Sequence, residues 1–376
     1  MSRKFFSILT LLLFVVSARA DDDYVNEESS CAPAKPKECC VPPPKCCWEF
    51  NPCNPKGCSN MNCGSFYITS DFIYWRAENN GFSSAYEIST VITPAGTVGD
   101  NQNFGSIIRI DPEWDRGFRF GIGRNCRYDF WDVLLNYTCY NNHAKEKIAS
   151  TTGFFPVWLQ DLNDRFATAS LSTLFHLNMC DLEIGRLIQI TRTISVRPCW
   201  GVRGGTLYQT FKNHFYNNLR SVPLPVNSEV RFNGKNNYWG LGPRVGLDAQ
   251  LNFSQGFGFL SKVSGALLYG ENKALSVSKH VVAQTSVETT NSSCENNYYQ
   301  LVPTLQLALG LQWQTCMWCE KMFYKMSVLW ETNHWWNQFN LPLQLQATST
   351  LITPLPTVGN QPLTMEGITI NFELDF

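Results

Sequence analysis

From Gly64 to the C-terminus the apolar residues of this chain recur every second position, not every 3.6. Successive side chains of a β-strand point to opposite faces, so such segments carry one apolar and one polar face. Phe66, Ile68, Phe72 and Tyr74 share one face, and Tyr67, Thr69 and Asp71 the other. Phe118, Phe120 and Ile122 alternate with Arg119, Gly121 and Gly123; Trp131, Val133, Leu135 and Tyr137 alternate with Asp132, Asn136 and Thr138. Leu301 to Leu311 is an unbroken apolar stripe at odd positions, opposed by Gln300, Thr304, Gln306 and Gln312.

A soluble sandwich alternates in the same way, but three features favour a membrane barrel. The strands are long, commonly about ten to fifteen residues where soluble strands average five or six, and a tilted membrane strand needs about nine to eleven. Their polar faces carry charges in mid-strand: Asp71, Arg119, Arg197, Arg203, Arg244, Asp248 and Glu331. Inside a barrel these seven would face a polar lumen. The chain also ends Ile368, Ile370, Phe372, Leu374, Phe376, alternating up to a terminal phenylalanine. An unpaired edge of that kind invites aggregation, which closure onto the first strand removes. Phe372, Leu374 and Phe376 are thus candidates for the signal that barrel assembly machinery reads.

Composition agrees. Aromatics are 14% and charged residues only 16%, against roughly 25% charged in ordinary soluble domains. No run reaches about 18 apolar residues, which argues against a helical membrane protein. A net charge of -1 without Lys/Arg blocks argues against nucleic acid as a partner. No cofactor motif, no HExxH and no G-x-S-x-G pattern occurs, so neither a metal nor an enzyme is expected. A surface protease of similar size would need acids and a histidine meeting at the outer rim. His143, His214, His280, His334, Asp161 and Asp164 are the candidates, and no spacing unites them.

Alternation predicts strands at 65–76, 116–125, 128–140, 167–188, 194–211, 237–252, 257–270, 298–314, 321–333 and 367–376. Long connections, at 77–115, 141–166, 212–236, 271–297 and 334–366, take turns with short ones. Bacterial barrels have short periplasmic turns, long outer loops and an even strand number. The expected fold is therefore an all-β, transmembrane, antiparallel up-and-down barrel of about ten strands, or twelve and more if the long connections hide others. The 167–188 segment changes parity near Met179, which predicts a bulge or a missed hairpin there. Trp75, Trp114, Trp313, Trp330, Trp335 and Trp336 fall near strand ends and are expected in aromatic girdles.

Two segments precede the barrel. Arg3 and Lys4, the apolar run Phe5 to Val16, and Ala18-Arg19-Ala20 have the order of a secretory signal peptide cleaved after Ala20. Residues 21–63 form an acidic, then Cys/Pro/Lys-rich arm expected in the periplasm. Residues 64–376 form the barrel. The arm holds eight of the fifteen cysteines: Cys31, Cys39, Cys40, Cys46, Cys47, Cys53, Cys58 and Cys63. It has too few apolar residues for a core and lacks histidine and C-x2-C pairs, so disulfides are favoured over zinc. Cys126 and the Cys316-Met-Trp-Cys319 pair lie in predicted periplasmic turns and join the disulfide candidates. Cys139 and Cys294 fall on or near predicted outer loops, and Cys180 and Cys199 within strands. The odd total invites cross-links to a second copy or to other envelope proteins. Pairing stays open, since eight cysteines alone allow 105 connectivities.

An ordered set of motifs adds a resemblance. Asp71-Phe-Ile-Tyr-Trp-Arg-Ala-Glu78, Trp114-Asp-Arg-Gly-Phe-Arg-Phe-Gly-Ile-Gly123, Trp131-Asp132, Asp181-Leu-Glu-Ile-Gly-Arg186, Arg197-Pro-Cys-Trp-Gly-Val-Arg203 and Gly240-Leu-Gly-Pro-Arg-Val-Gly-Leu-Asp248 together resemble the pore-forming major outer membrane proteins (MOMP-like) of Legionella and chlamydia-related bacteria. The resemblance implies an outer-membrane barrel, embedded in outer-membrane lipid, that passes small hydrophilic solutes. The cysteine arm departs from the Legionella members and looks more like the disulfide-linked envelopes of the chlamydial group. A structural or adhesin barrel that cross-links the envelope through its arm is the other expectation.

Overall fold

The computed structural model describes residues 66–79, 83–88, 105–111, 113–125, 130–156, 166–191, 193–218, 228–253, 256–282, 287–317, 322–339 and 361–376. The cysteine arm, the proposed leader, Cys126, Cys319, Asp161 and Asp164 lie outside these residues, as do the side chains of His280 and Cys316.

Ten long strands form the ring: β1 (Phe66–Asn79), β2 (Trp114–Asn125), β3 (Trp131–Pro156), β4 (Phe166–Arg186), β5 (Ile194–Asn218), β6 (Glu229–Asn252), β7 (Phe257–Val282), β8 (Val287–Met317), β9 (Met322–Phe339) and β10 (Gln361–Asp375). Each pairs antiparallel with its neighbours in sequence. β10 returns to β1 in continuous register, from Tyr67 opposite Asp375 to Asn79 opposite Leu363. The sheet is thus closed, and the terminal strand keeps no free edge. Two short strands, Ser83–Ile88 and Gly105–Arg109, pair with each other and with the far end of β3, outside the ring. The long connections therefore add strands without raising the barrel count above ten.

β3 and β5 to β8 run on well past their predicted ends, by as much as sixteen residues in β3. Much of 141–166, 212–236 and 271–297 is strand rather than loop. Their outward faces are polar, and their few inward apolar residues, such as Phe154, Phe215, Val230 and Phe232, form stripes too short to stand out as strands. Cys139, expected on or near a loop, accordingly lies inside β3, opposite Phe118 of β2.

β4 is one uninterrupted strand, with neither bulge nor hairpin at Met179, which sits in register with Thr138 and Gly205. The apparent change of parity has another cause. Phe175, Leu177 and Met179 point inward into an apolar layer of the interior, while Leu182 and Ile184 point outward. Both faces of β4 are apolar, at different heights.

The outer surface is a belt of exposed large apolar side chains. On β6 it runs from Leu251 through Leu247, Val245 and Leu241 to Trp239. At about 3.3 Å per residue and a tilt of about 40° this is roughly 30 Å tall, enough for the hydrocarbon of a bilayer. Trp114, Trp313, Trp330 and Trp336 face outward as expected, Trp114 against Trp330 with ring centroids 6.2 Å apart. Trp75 and Trp335 do not. They are 0% and 1% exposed and point inward. Their parity explains it: Trp75 shares a face with Asp71, and Trp335 with Glu331.

The turns on the side of the termini are short. The β6–β7 turn is closed by Phe253 N donating to Phe257 O at 2.8 Å. Gly256 takes φ of +82° there, a conformation that a side chain would strain.

Candidate functional site: the layered interior

The inward positions divide into layers along the barrel axis. Nearest the termini lies a charged layer built at even or odd positions according to the parity of each strand. All seven charges predicted for the lumen point into it. Arg119 on β2 donates to Asp71 at 2.9 Å and reaches Glu331 on β9 at 2.9 Å. Glu331, 1% exposed, also accepts from Gln306 (2.6 Å), Asn333 (3.1 Å) and Thr369 (2.8 Å). Gln306 on β8 accepts from Arg203 on β5 at 2.9 Å. Arg203 forms a two-pronged pair with Asp181 on β4, at 2.7 and 2.9 Å. Arg244 on β6 pairs with Glu183 and donates to Ser264 at 3.0 Å. Arg197 on β5 pairs with Asp132, and lies 3.6 Å from Glu183 and 3.3 Å from Asp248.

These contacts form one chain of charge-assisted hydrogen bonds. The Arg203–Gln306 link joins strands three apart around the ring, so the chain spans part of the lumen. Asp132, Asp181 and Glu183 complete it, although they were not singled out as lumen charges. Parity was the available signal: Asp132 shares a face with Asn136 and Thr138, and Asp181 and Glu183 alternate with Leu182 and Ile184. Six carboxylates against four guanidiniums leave the network with a formal charge of -2. Gly185 makes room for it, since a Cβ there would come within 2.5 Å of the Arg197 guanidinium carbon.

Toward the outer side the interior turns apolar. Ile73 and Trp75 on β1, Tyr140 on β3, Phe175, Leu177 and Met179 on β4, Leu207 on β5 and Tyr238 on β6 form one half of a buried cluster. Ala266 and Leu268 on β7, Val302 on β8, Trp335 on β9, and Leu363 and Met365 on β10 form the other half. Nine of the ten strands contribute and every member is at most 6% exposed, so this level of the interior is filled, a septum rather than a wall lining. Its few polar atoms are satisfied: Trp75 donates to Thr369 at 3.1 Å, and Tyr140 to the backbone of Trp75 at 2.8 Å.

Beyond the septum lies a layer of amides. Gln209, Asn213, Asn236 and Asn272 are buried on inward faces of β5, β6 and β7. Asn337 adopts φ of +57° where the β9–β10 register breaks, and the neighbouring Gln338 is buried. The Gln338 carbonyl accepts from Asn236 at 2.6 Å, from β9 to β6. Both side-chain polar atoms of Gln209, Asn213 and Gln338, and the Oδ1 atoms of Asn236 and Asn272, have no hydrogen-bond partner among the described residues. A second apolar cluster, with Phe154, Phe166, Leu171, Phe215 and Val230, lines the outermost level on β3 to β6 among the described residues.

The remaining candidates lie elsewhere. Phe372 and Phe376 face outward in the belt. Cys180 is exposed and Cys199 is buried inside. Cys294 lies in the outer extension of β8, opposite Ser276. His143, His214 and His334 sit on β3, β5 and β9 and share no site. Among the described residues no cluster of three or more His, Cys, Asp or Glu side chains is placed to hold a metal.

Residues 60–376 match the family described as Legionella pneumophila major outer membrane protein precursor. The chain belongs to the Legionella major outer membrane protein family. It is an outer-membrane β-barrel with a channel-like architecture. No curated protein sequence matches it. Among solved structures it resembles a TodX mutant monoaromatic hydrocarbon channel, at 9% identity over 87% of this chain and 93% of the other, with a TM-score of 0.34. It also resembles a Pseudomonas aeruginosa FadL homologue, at 8% identity over 86% and 92% with a TM-score of 0.25. A third likeness is to OmpT of Vibrio cholerae, at 10% identity over 84% and 99% with a TM-score of 0.14. No property of these proteins transfers to this member of the Legionella family on such similarity.

Proposed function

We propose that this family member is a channel for passive diffusion of small hydrophilic solutes, held shut by its septum. One observation carries the reading: the septum has the charged network on one side and the layer of buried amides on the other. Buried amides without protein partners need water or a polar solute, so the outer layer is hydrated from its own side. Below the septum the charged network offers solutes a polar surface of net negative charge, which favours cations. Asp71, Arg119, Arg197, Arg203, Arg244, Asp248 and Glu331 would then set selectivity.

Single-channel recording of the refolded full barrel tests this. Brief ionic steps are expected from the wild type, with longer open times after Leu177→Ala in the septum and altered selectivity after Arg119→Ala or Arg244→Ala. Silence from the wild type and the septum variant alike would overturn it.

The packed septum also supports a second reading, a surface barrel whose function is structural. Its cysteine arm would link the envelope through disulfides to a second copy or to other envelope proteins, with Cys126, Cys316 and Cys319 on the same side. Deleting residues 31–63 separates the readings. Loss of cross-linked oligomers with conductance intact would assign the two roles to different parts of the chain.

In either case the leader is removed after Ala20, Phe372, Leu374 and Phe376 are presented to the assembly machinery, and no catalysis is involved.

A further inference from the structure

Above the lipid belt the outward-facing side chains differ sharply around the ring. On β3 to β7 they are basic. Lys147, Ser170, His214, Arg231 and Lys279 lie side by side across five strands in continuous register. One step nearer the membrane, Lys145, Ser172, Lys212 and Asn233 form a second row. Lys235 and Lys273 stand below them, four residues above Trp239 and Tyr269 of the aromatic edge. The sector thus holds seven Lys and Arg among the described residues. Two acids face the same way: Glu229, which accepts from His214 at 2.9 Å and Arg231 at 3.1 Å, and Glu271, 3.5 Å from Lys273.

The opposite sector, on β8 to β10 and β1 to β2, places Arg76 and Arg116 against Glu78, Glu295 and Glu366, with Arg76 paired to Glu366. Among the described side chains the two sectors carry formal charges of +5 and -1.

Like charges side by side on a sheet destabilise it. An excess of five on one sector therefore calls for an anionic partner. Height identifies its kind. At about 3.3 Å per residue and a tilt of about 40°, Lys235 and Lys273 lie roughly 10 Å above Trp239 and Tyr269, and Lys212 as far above Tyr208, in the headgroup region of the outer leaflet; Arg231, eight residues past Trp239, lies roughly 20 Å above it. Lys212, Lys235 and Lys273 project sideways from the barrel wall at headgroup level, toward lipid, and the Lys147 row stands above them. Aromatic rings lie among them: Lys147 Nζ is 5.4 Å from the Tyr216 ring centroid, and His214 is 5.1 Å from the same ring. Such planes suit the sugar part of a glycolipid.

We propose that the β3–β7 sector is a docking surface for a phosphorylated glycolipid of the outer leaflet. Phosphate groups would bridge Lys235 and Lys273 to the Lys145 and Lys212 row, and the Lys147 row with the Tyr216 ring would meet the sugars above them. The proposal rests on the outward faces and on membrane orientation, and it is independent of whether the barrel conducts.

The test uses the full protein refolded in detergent, with diphosphoryl lipid A and its dephosphorylated form as probes, read by native mass spectrometry and titration. The wild type should prefer the phosphorylated lipid. The fourfold variant Lys145→Gln, Lys212→Gln, Lys235→Gln, Lys273→Gln should bind it about a hundredfold more weakly, roughly threefold for each cation. Arg116→Gln in the opposite sector should bind as the wild type does. Should the fourfold variant fail to show a folded mobility on gels, Lys212→Gln and Lys235→Gln are each measured alone for their threefold loss. Equal binding of both lipids, or full binding by the variants, would overturn the proposal. So would competition by inorganic phosphate at the lipid's own concentration, since that would make the surface a free-anion site.

Discussion

The charged layer and the apolar septum are made by the same strands, at the same parity, a few residues apart. On β9, Glu331 and Trp335 are separated by two periods of the pleat and both are 1% exposed. They illustrate two ways to fill a ten-stranded interior. The septum gains stability by removing apolar surface from water, and any one of its side chains makes a share of that gain. The charged layer gains little on balance, because desolvation offsets attraction; its members depend on one another. A loss in the septum is thus local, whereas a loss in the network leaves charges stranded.

The largest test of that difference is Glu331→Ala. It deprives Arg119 of one of its two carboxylates and leaves Gln306, Asn333 and Thr369 without their acceptor. A cost of about 3–5 kcal/mol is expected. Urea unfolding followed by gel mobility measures it, and adding Arg119→Met should recover much of the loss. Equal destabilisation in the single and double variants would mean the pair does not act as a unit.

Leu177→Ala in the septum should cost somewhat less, about 3 kcal/mol from transfer and cavity. Here no second substitution among the charges should compensate, and a cycle combining it with Arg197→Met should be additive to within about 0.5 kcal/mol. Strong coupling would merge the two layers into one.

Smaller again is Gly185→Ala. The added methyl crowds the movable end of Arg197 and not the backbone, so about 1–2 kcal/mol is expected. The variant should lose more of the Arg197–Asp132 pair than of the septum, as read by the further effect of Asp132→Asn on stability.

The smallest effect lies outside both layers. Burial raises the Glu229 carboxyl, but hydrogen bonds from His214 and Arg231 outweigh it and hold the group below its ordinary value. A depressed carboxyl contributes stability that is complete above its unfolded pKa and fades as pH falls through its folded value. The difference in unfolding midpoint between wild type and Glu229→Gln should therefore be constant above about pH 5 and shrink below about pH 4. A difference that grew on acidification would reverse the assignment.

Much of this organisation is legible along the chain. Lipid-facing residues at every second position mark ten strands, and mid-strand charges stand out against them. The septum is harder to read. Leu177 and Trp335 look like belt residues by composition, and only comparison with the parity of Glu183 and Glu331 places them inside. The strand extensions are harder still, because segments such as Asn291 to Asn297 have no apolar face and resemble loops.

Alternation along the backbone, then, was enough to decide that a closed antiparallel barrel forms, since each strand faces lipid on one side and must pair all its hydrogen bonds with neighbours. Closure decided the rest. Only a ring of ten strands brings Arg203 within reach of Gln306 and Trp75 into the same layer as Leu177 and Trp335. Which inward side chains meet depends on the radius and stagger of the cylinder, quantities that no single strand contains.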